Sequence, residues 1–216
     1  MRRAIWMMPA LALLLGGVGQ ASADMLYDNG AISGNLDAQG ISSPYTISDS
    51  FTLSSASVLT SAQIGLEVTP GTTPNTVSWE IGTTPFGSDV NSGTATLSNT
   101  PDGITGRGVY DIYVSTFSLP NVSLGAGTYY LTLENATATN GGYVYWDKNG
   151  GPSSAQVQYL YNGSLNTYSI DSESFQIEGS VNPIATPAPA SLTLLGIGAV
   201  CLVGYGWRRR RKMAAA

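Results

Sequence analysis

Histidine is missing from all 216 residues, and the single cysteine, Cys201, lies near the C-terminus. Without histidine, Ser-His-Asp and Cys-His nucleophile arrangements are excluded, as are zinc sites built on histidine and cysteine. One thiol has no second thiol to pair with, so no internal disulfide forms. Cations are almost as scarce. Arg2 and Arg3 open the chain and Arg208 to Lys212 close it, which leaves only Arg107 and Lys148 between. All fourteen acids, from Asp24 to Glu178, fall in that interval, so the body has a net charge of −12 where the whole chain has −5. Phosphate recognition needs clustered Lys and Arg, so neither nucleic acid nor anionic lipid is expected as a partner. No cofactor motif is found.

Long apolar runs are confined to the two ends. Met1-Arg2-Arg3 precedes an apolar stretch from Ala4 to Val18, and Ala21-Ser22-Ala23 has the small-x-small form of a signal-peptidase site. A cleaved signal peptide over 1–23 is predicted, with the mature chain starting at Asp24. Near the other end, the uncharged run 190–207 spans roughly 27 Å as a helix, about the hydrocarbon thickness of a bilayer. Five cations follow it in the tail 208–216, and the positive-inside rule places them in the cytoplasm. The expected partners in export are the Sec translocon and signal peptidase. The membrane enters through this one C-terminal helix, with the body periplasmic.

The tail resembles the PEP-CTERM sorting signal of Gram-negative bacteria, in which a Pro-Glu-Pro-like motif, a Leu/Gly-rich helix and an arginine cluster are recognised by an exosortase. The residues that carry the resemblance are Pro187, Ala188 and Pro189 within the linker 184–189, then Leu194, Leu195 and Gly196, then Arg208, Arg209, Arg210 and Arg211. Ala188 stands where the family usually has Glu. The resemblance implies removal of the tail and delivery of the body to the cell surface or the extracellular polysaccharide matrix.

In the body, 24–183, the dominant period is two, the period of a strand. Ile64, Leu66 and Val68 alternate with polar residues, as do Val77, Trp79 and Ile81, then Tyr110, Ile112 and Val114, then Tyr129, Leu131 and Leu133. Turn chemistry separates the runs: Asp28-Asn29-Gly30, Pro101-Asp102-Gly103, Asn140-Gly141-Gly142 and Tyr161-Asn162-Gly163. Strands with one apolar face bury it when two antiparallel sheets pack together. The prediction is an all-β body, an antiparallel β-sandwich of jelly-roll or Greek-key type with eight to ten strands. Two hexapeptides, Ser48 to Leu53 and Ser172 to Ile177, share the pattern S-[DE]-S-F-x-[LI]. They suggest that the first and last long strands lie side by side and bring the ends of the body together. With Gly127 to Leu133, these segments also resemble secreted β-sandwich domains of anchor-bearing bacterial proteins, a likeness that carries no site residues.

Three chemistries pass the histidine filter. The first is glycan binding: on a strand, Tyr143, Tyr145 and Asp147 share a face, and rings beside a carboxylate suit a pyranose. Against it, tyrosine commonly covers sandwich edges, and eleven of the twelve tyrosines lie in the body. The second is calcium. Asp147-Lys148-Asn149-Gly150 opens like an oxygen-ligand loop, but Gly151 and Val157 stand where an EF-hand needs ligands. A site drawn from separate loops, using Asp28, Asp37 or Asp147, is the alternative to plain turn formation. The third is glycoside hydrolysis by a carboxylate pair. Glu67, Glu80, Glu134 and Glu178 each occupy a polar position of an alternating run, the ordinary place of a solvated charge, and none is nominated. The expectation is a non-enzymatic surface or matrix protein, with a carbohydrate-binding module as the alternative and a polysaccharide hydrolase third.

Overall fold

A computed structural model describes residues 23–34, 38–103 and 109–182. The predicted signal peptide, up to residue 22, and the predicted linker, membrane helix and basic tail lie outside the described residues. Among the described residues, no helix is long and apolar enough to cross a membrane.

Among the described residues, thirteen strands, β1 to β13 in chain order, form two antiparallel sheets. The first holds β1 (Asp24–Asp28), β2 (Ala38–Gly40), β4 (Ser57–Val68), β7 (Ser98–Pro101), β8 (Asp111–Leu124), β10 (Val144–Asp147) and β13 (Phe175–Val181). The second runs in the order β12 (Ser164–Ile170), β11 (Ala155–Tyr161), β3 (Tyr45–Leu53), β9 (Gly127–Ala138), β5 (Pro74–Gly82) and β6 (Asn91–Thr96). The all-β sandwich reading of the sequence holds. The strand count exceeds eight to ten because short pieces are added: β7 and β10 pair along the longer β8 and β4, and β2 pairs with β10 at the edge.

The longest-paired strand of the first sheet is β4. Its whole length bonds β8 on one side, while β13 pairs with its first part and β10 with its last, end to end on the other side. The sequence explains the core directly. Ile64, Leu66 and Val68 of β4 and Leu131 and Leu133 of β9 point inward and are buried, as do Val77, Trp79 and Ile81 of β5. Each large aliphatic or aromatic side chain so buried contributes about 1.5–3 kcal/mol. Trp146 fills the centre with no exposure, and its indole N–H donates to the Ser174 carbonyl at 2.9 Å, so its polar atom is satisfied. The β11–β12 hairpin turns on Asn162-Gly163, both with positive φ (49° and 76°), as the dipeptide predicts.

The two S-[DE]-S-F segments do not pair side by side. β3 lies between β9 and β11, whereas β13 lies between β1 and β4 in the other sheet. They face each other through the core, where Phe51 and Phe175 meet edge to face with centroids 6.5 Å apart. The ends of the body do come together, but through β1, whose Asp24 pairs with Gly179 of β13.

Candidate functional site

At one end of the sandwich the interior turns polar. Asp49 occupies an inward position of β3, in line with Ile47 and Phe51, and is fully buried. Its Oδ2 accepts the Glu173 N–H at 2.8 Å and the Asn29 amide at 3.1 Å, and its Oδ1 accepts the Ser50 N–H at 2.7 Å. Burial pushes the Asp49 carboxyl up, and hydrogen bonds from Glu173, Ser153, Ser50 and Asn29 pull it back. Asn29, directly after β1, organises this group. Its amide also donates to Ser153 Oγ and the Glu173 carbonyl, both at 2.7 Å, while its oxygen accepts the Tyr27 hydroxyl at 2.8 Å. Next to it, Asn149 donates to the Asn29 carbonyl at 2.8 Å and accepts from Ser172 and Gly151. These bonds tie three loops together. An open cleft of about 530 Å3 lies beside them, lined among others by Lys148, Asn149, Ser153, Asp171 and Ser172.

Asp147 belongs to this end too, which corrects its place on an exposed glycan-binding face. It is fully buried: its carboxylate accepts the Ser33 N–H at 2.7 Å, the Gly34 N–H at 2.9 Å and the Ser33 hydroxyl at 3.1 Å. The alternation of β10 ends at Asp147 because residues 33–34 close over it. The same contacts occupy the oxygens that a loop calcium site would use. Asp28 only closes its own turn, accepting the Gly30 N–H at 2.9 Å, and Asp37 lies outside the described residues. Among the described residues, no group of three or more acids is placed to hold a metal ion.

The remaining carboxylates divide. Glu67 is fully buried rather than solvated, in a row across the first sheet with Gly40, Tyr145 and Ile112. Glu80, Glu134 and Glu178 keep part of their surface in solvent. Glu80 is raised by partial burial first and then by the neighbouring charge of Glu134. These two lie on the outward face of the second sheet, where Thr46 donates to Glu134 at 2.9 Å. The cleft holds Asp171, and a second hollow beside Gly65 and Ser174 holds Asp102, so neither contains a carboxylate pair.

Tyr143 and Tyr145 sit where sequence alternation puts them, in partial contact with solvent, with ring centroids 6.5 Å apart. They are not an isolated pair. Tyr110 lies 5.2 Å from Tyr145, and beyond Gly40 come Tyr45 and Tyr159 at 5.7 Å, then Tyr159 and Tyr168 at 5.9 Å. Gly40 alone separates the two groups: a Cβ placed there would lie 3.6 Å from the Tyr45 ring and 3.8 Å from the Tyr145 ring. The hydroxyls cluster as well. Burial raises Tyr145 first, followed by its hydrogen bond with Tyr110 and the nearby Tyr143 and Tyr45. Burial likewise leads for Tyr168, followed by Tyr45 and Tyr159. Sequence periodicity found Tyr143 and Tyr145 but missed the other four. Those four come from β3, β11, β12 and the residue before β8, and only strand pairing and the turn of the chain at 41–44 unite them.

No curated protein matches this chain. Residues 185–211 match the family model of the PEP-CTERM protein-sorting motif, over the same prolines, Leu-Leu-Gly and arginines that the sequence singles out. The match stops at the tail, so it speaks for delivery of the sandwich and not for its ligand. The chain carries a PEP-CTERM protein-sorting motif in its C-terminal tail, the kind of signal through which an exosortase sorts an exported protein.

Proposed function

We propose that the sandwich is a non-enzymatic component of the cell surface or of the exopolysaccharide matrix. In this reading Sec export and signal peptidase release the N-terminus at Asp24. The body is held for a time on the periplasmic side of the inner membrane by its C-terminal helix, and then the exosortase removes the tail. The observation that carries the reading is the sorting motif at 185–211. The body's charge of −12 and lack of cysteine suit a soluble domain that needs no oxidative folding step outside the cytoplasm.

Intact-mass measurement on protein recovered from the native surface tests it. The expected species begins at Asp24 and lacks the basic tail. A species that begins at Asp24 and still ends at Ala216 would replace the sorted protein with a permanent single-pass one. A carbohydrate-binding module is the second reading, favoured by the exposed tyrosines. A hydrolase has less support, because neither hollow pairs two carboxylates.

A further inference from the structure

Six tyrosines form one connected surface across the open side of the sandwich. From Tyr143 the rings run to Tyr145, with Tyr110 at its flank, across Gly40 to Tyr45, and on through Tyr159 to Tyr168. The strip therefore begins on the first sheet, rounds the edge strand β2 and ends on β12, the edge of the second sheet. The Tyr168 hydroxyl reaches back to Gln39 of β2 at 3.4 Å, so the two edges meet beneath the strip. On either side of Gly40, neighbouring centroids lie 5.2 to 6.5 Å apart, the rings tilted except for Tyr159 and Tyr168, which meet edge to face. The two ends are the most open members: Tyr143 is 60% exposed and Tyr168 is 42% exposed. The middle is anchored, because Tyr45 and Tyr159 also pack against the core.

We propose that this strip binds an uncharged polysaccharide lengthwise, with the tyrosine rings under the apolar faces of successive sugars and the phenol hydroxyls meeting the sugar hydroxyls. Three observations select that ligand. A tyrosine presents a flat apolar body and a polar tip, which is the chemistry a pyranose ring with a hydroxylated rim complements. The middle rings, Tyr45 and Tyr159, are held by packing before any ligand arrives, so little of their conformational entropy remains to be lost on binding. A body of net charge −12 repels anionic polymers, while ring stacking is indifferent to charge. Exposure at both ends suits a chain lying along the strip rather than a chain end entering a pocket. The inference deepens the matrix reading by naming what would retain the body there.

The test uses the full chain in a non-sugar detergent, titrated calorimetrically with a neutral β-linked hexasaccharide, its disaccharide and an anionic uronate hexasaccharide. The neutral hexasaccharide should bind, the disaccharide at least ~10-fold more weakly, and the anionic one not at all. Tyr143→Ala and Tyr168→Ala, at opposite ends, should each lower hexasaccharide affinity by ~3- to 10-fold with unchanged circular dichroism. Binding should persist in high salt. Absence of neutral-glycan binding, or binding that both variants leave unchanged, overturns the proposal. So does preference for the uronate that EDTA abolishes. Concentration-dependent self-association lost in Tyr168→Ala, without glycan binding, would reassign the strip to a second copy of this chain. None of these results alters the mass of the processed protein, so this proposal can fail while export and tail removal stand.

Discussion

Asp49 Oδ2 accepts the backbone N–H of Glu173 at 2.8 Å, which joins the acidic residues of the two S-[DE]-S-F segments across the interior of the sandwich. A carboxylate on the inward face of a strand is costly unless donors meet it. Here Asn29, Glu173 and Ser50 supply them, and each comes from a different part of the chain.

Asp49→Asn places an amide where these donors converge, and an unsatisfied buried donor costs about 1–3 kcal/mol. The pH dependence has a definite sign. Burial holds the native Asp49 carboxyl above the ordinary 3.8, so the folded chain keeps a proton that the unfolded chain releases. Its contribution to stability is full below that value and declines as pH rises through the native value. Urea melts of both proteins from about pH 3 to 7 should give a stability difference that is largest at the acid end. A difference constant across the range would mean that Asp49 does not titrate there.

Phe51 and Phe175 are core residues whose truncation to alanine should each cost about 3–5 kcal/mol. Their edge-to-face contact adds a coupling of about 0.5–1.5 kcal/mol, measurable in a double-mutant cycle. Additive single effects would mean that the two segments share the core without interacting.

Gly150 and Gly151 are adjacent but opposite in tolerance. A Cβ on Gly150 meets nothing within 4 Å, whereas one on Gly151 would run into the Asn29 carbonyl and crowd Ser172 and Asn149. Gly150→Ala should change stability by no more than about 0.5 kcal/mol, and Gly151→Ala should lower it clearly. Equal melting temperatures for the two variants would show the polar end of the sandwich to be more yielding than its hydrogen bonds imply.

The body, Asp24 to Pro183, is expected to fold alone. It has no cysteine, and a chain of about 160 residues buries roughly two-thirds of its unfolded surface. Thermal melts should be unchanged by dithiothreitol and little changed by EDTA, since Asp147 already spends its oxygens on Ser33 and Gly34. A large drop on adding EDTA would reveal a structural cation.

Sheet, core and delivery signal were legible in the sequence for one reason: each is written in local periodicity or in contiguous motif. Ile64, Leu66 and Val68 announce an inward face two residues at a time, and the arginine block stands beside its apolar run. Asp49, in line with Ile47 and Phe51, escaped because alternation does not name the distant donors that satisfy a buried carboxylate. Glu67 escaped because alternation reports which side of a strand a residue takes, not what covers that side. Ile32, close over Gly65, illustrates such a cover on the outward face of the first sheet. The repeated S-[DE]-S-F misled about pairing for a related reason: similar strands share an environment, and in a sandwich both sheets offer the same one. The tyrosine strip draws on segments more than a hundred residues apart, such as Tyr45 and Tyr159, and no spacing rule reaches that far.

The antiparallel seam between β1 and β13 also sets how the body bears a pull. Asp24, at the start of β1, lies against Gly179, near the end of β13, so a force drawn between the two ends loads the ladder at one extremity. Its hydrogen bonds run across the strands and would open one after another, like a zip, instead of resisting together in shear. A body gripped by both ends therefore gives way gradually at that seam. In the processing proposed above, removal of both terminal segments would take away the handles through which the seam could be forced, and would leave the sandwich to carry load only through its faces.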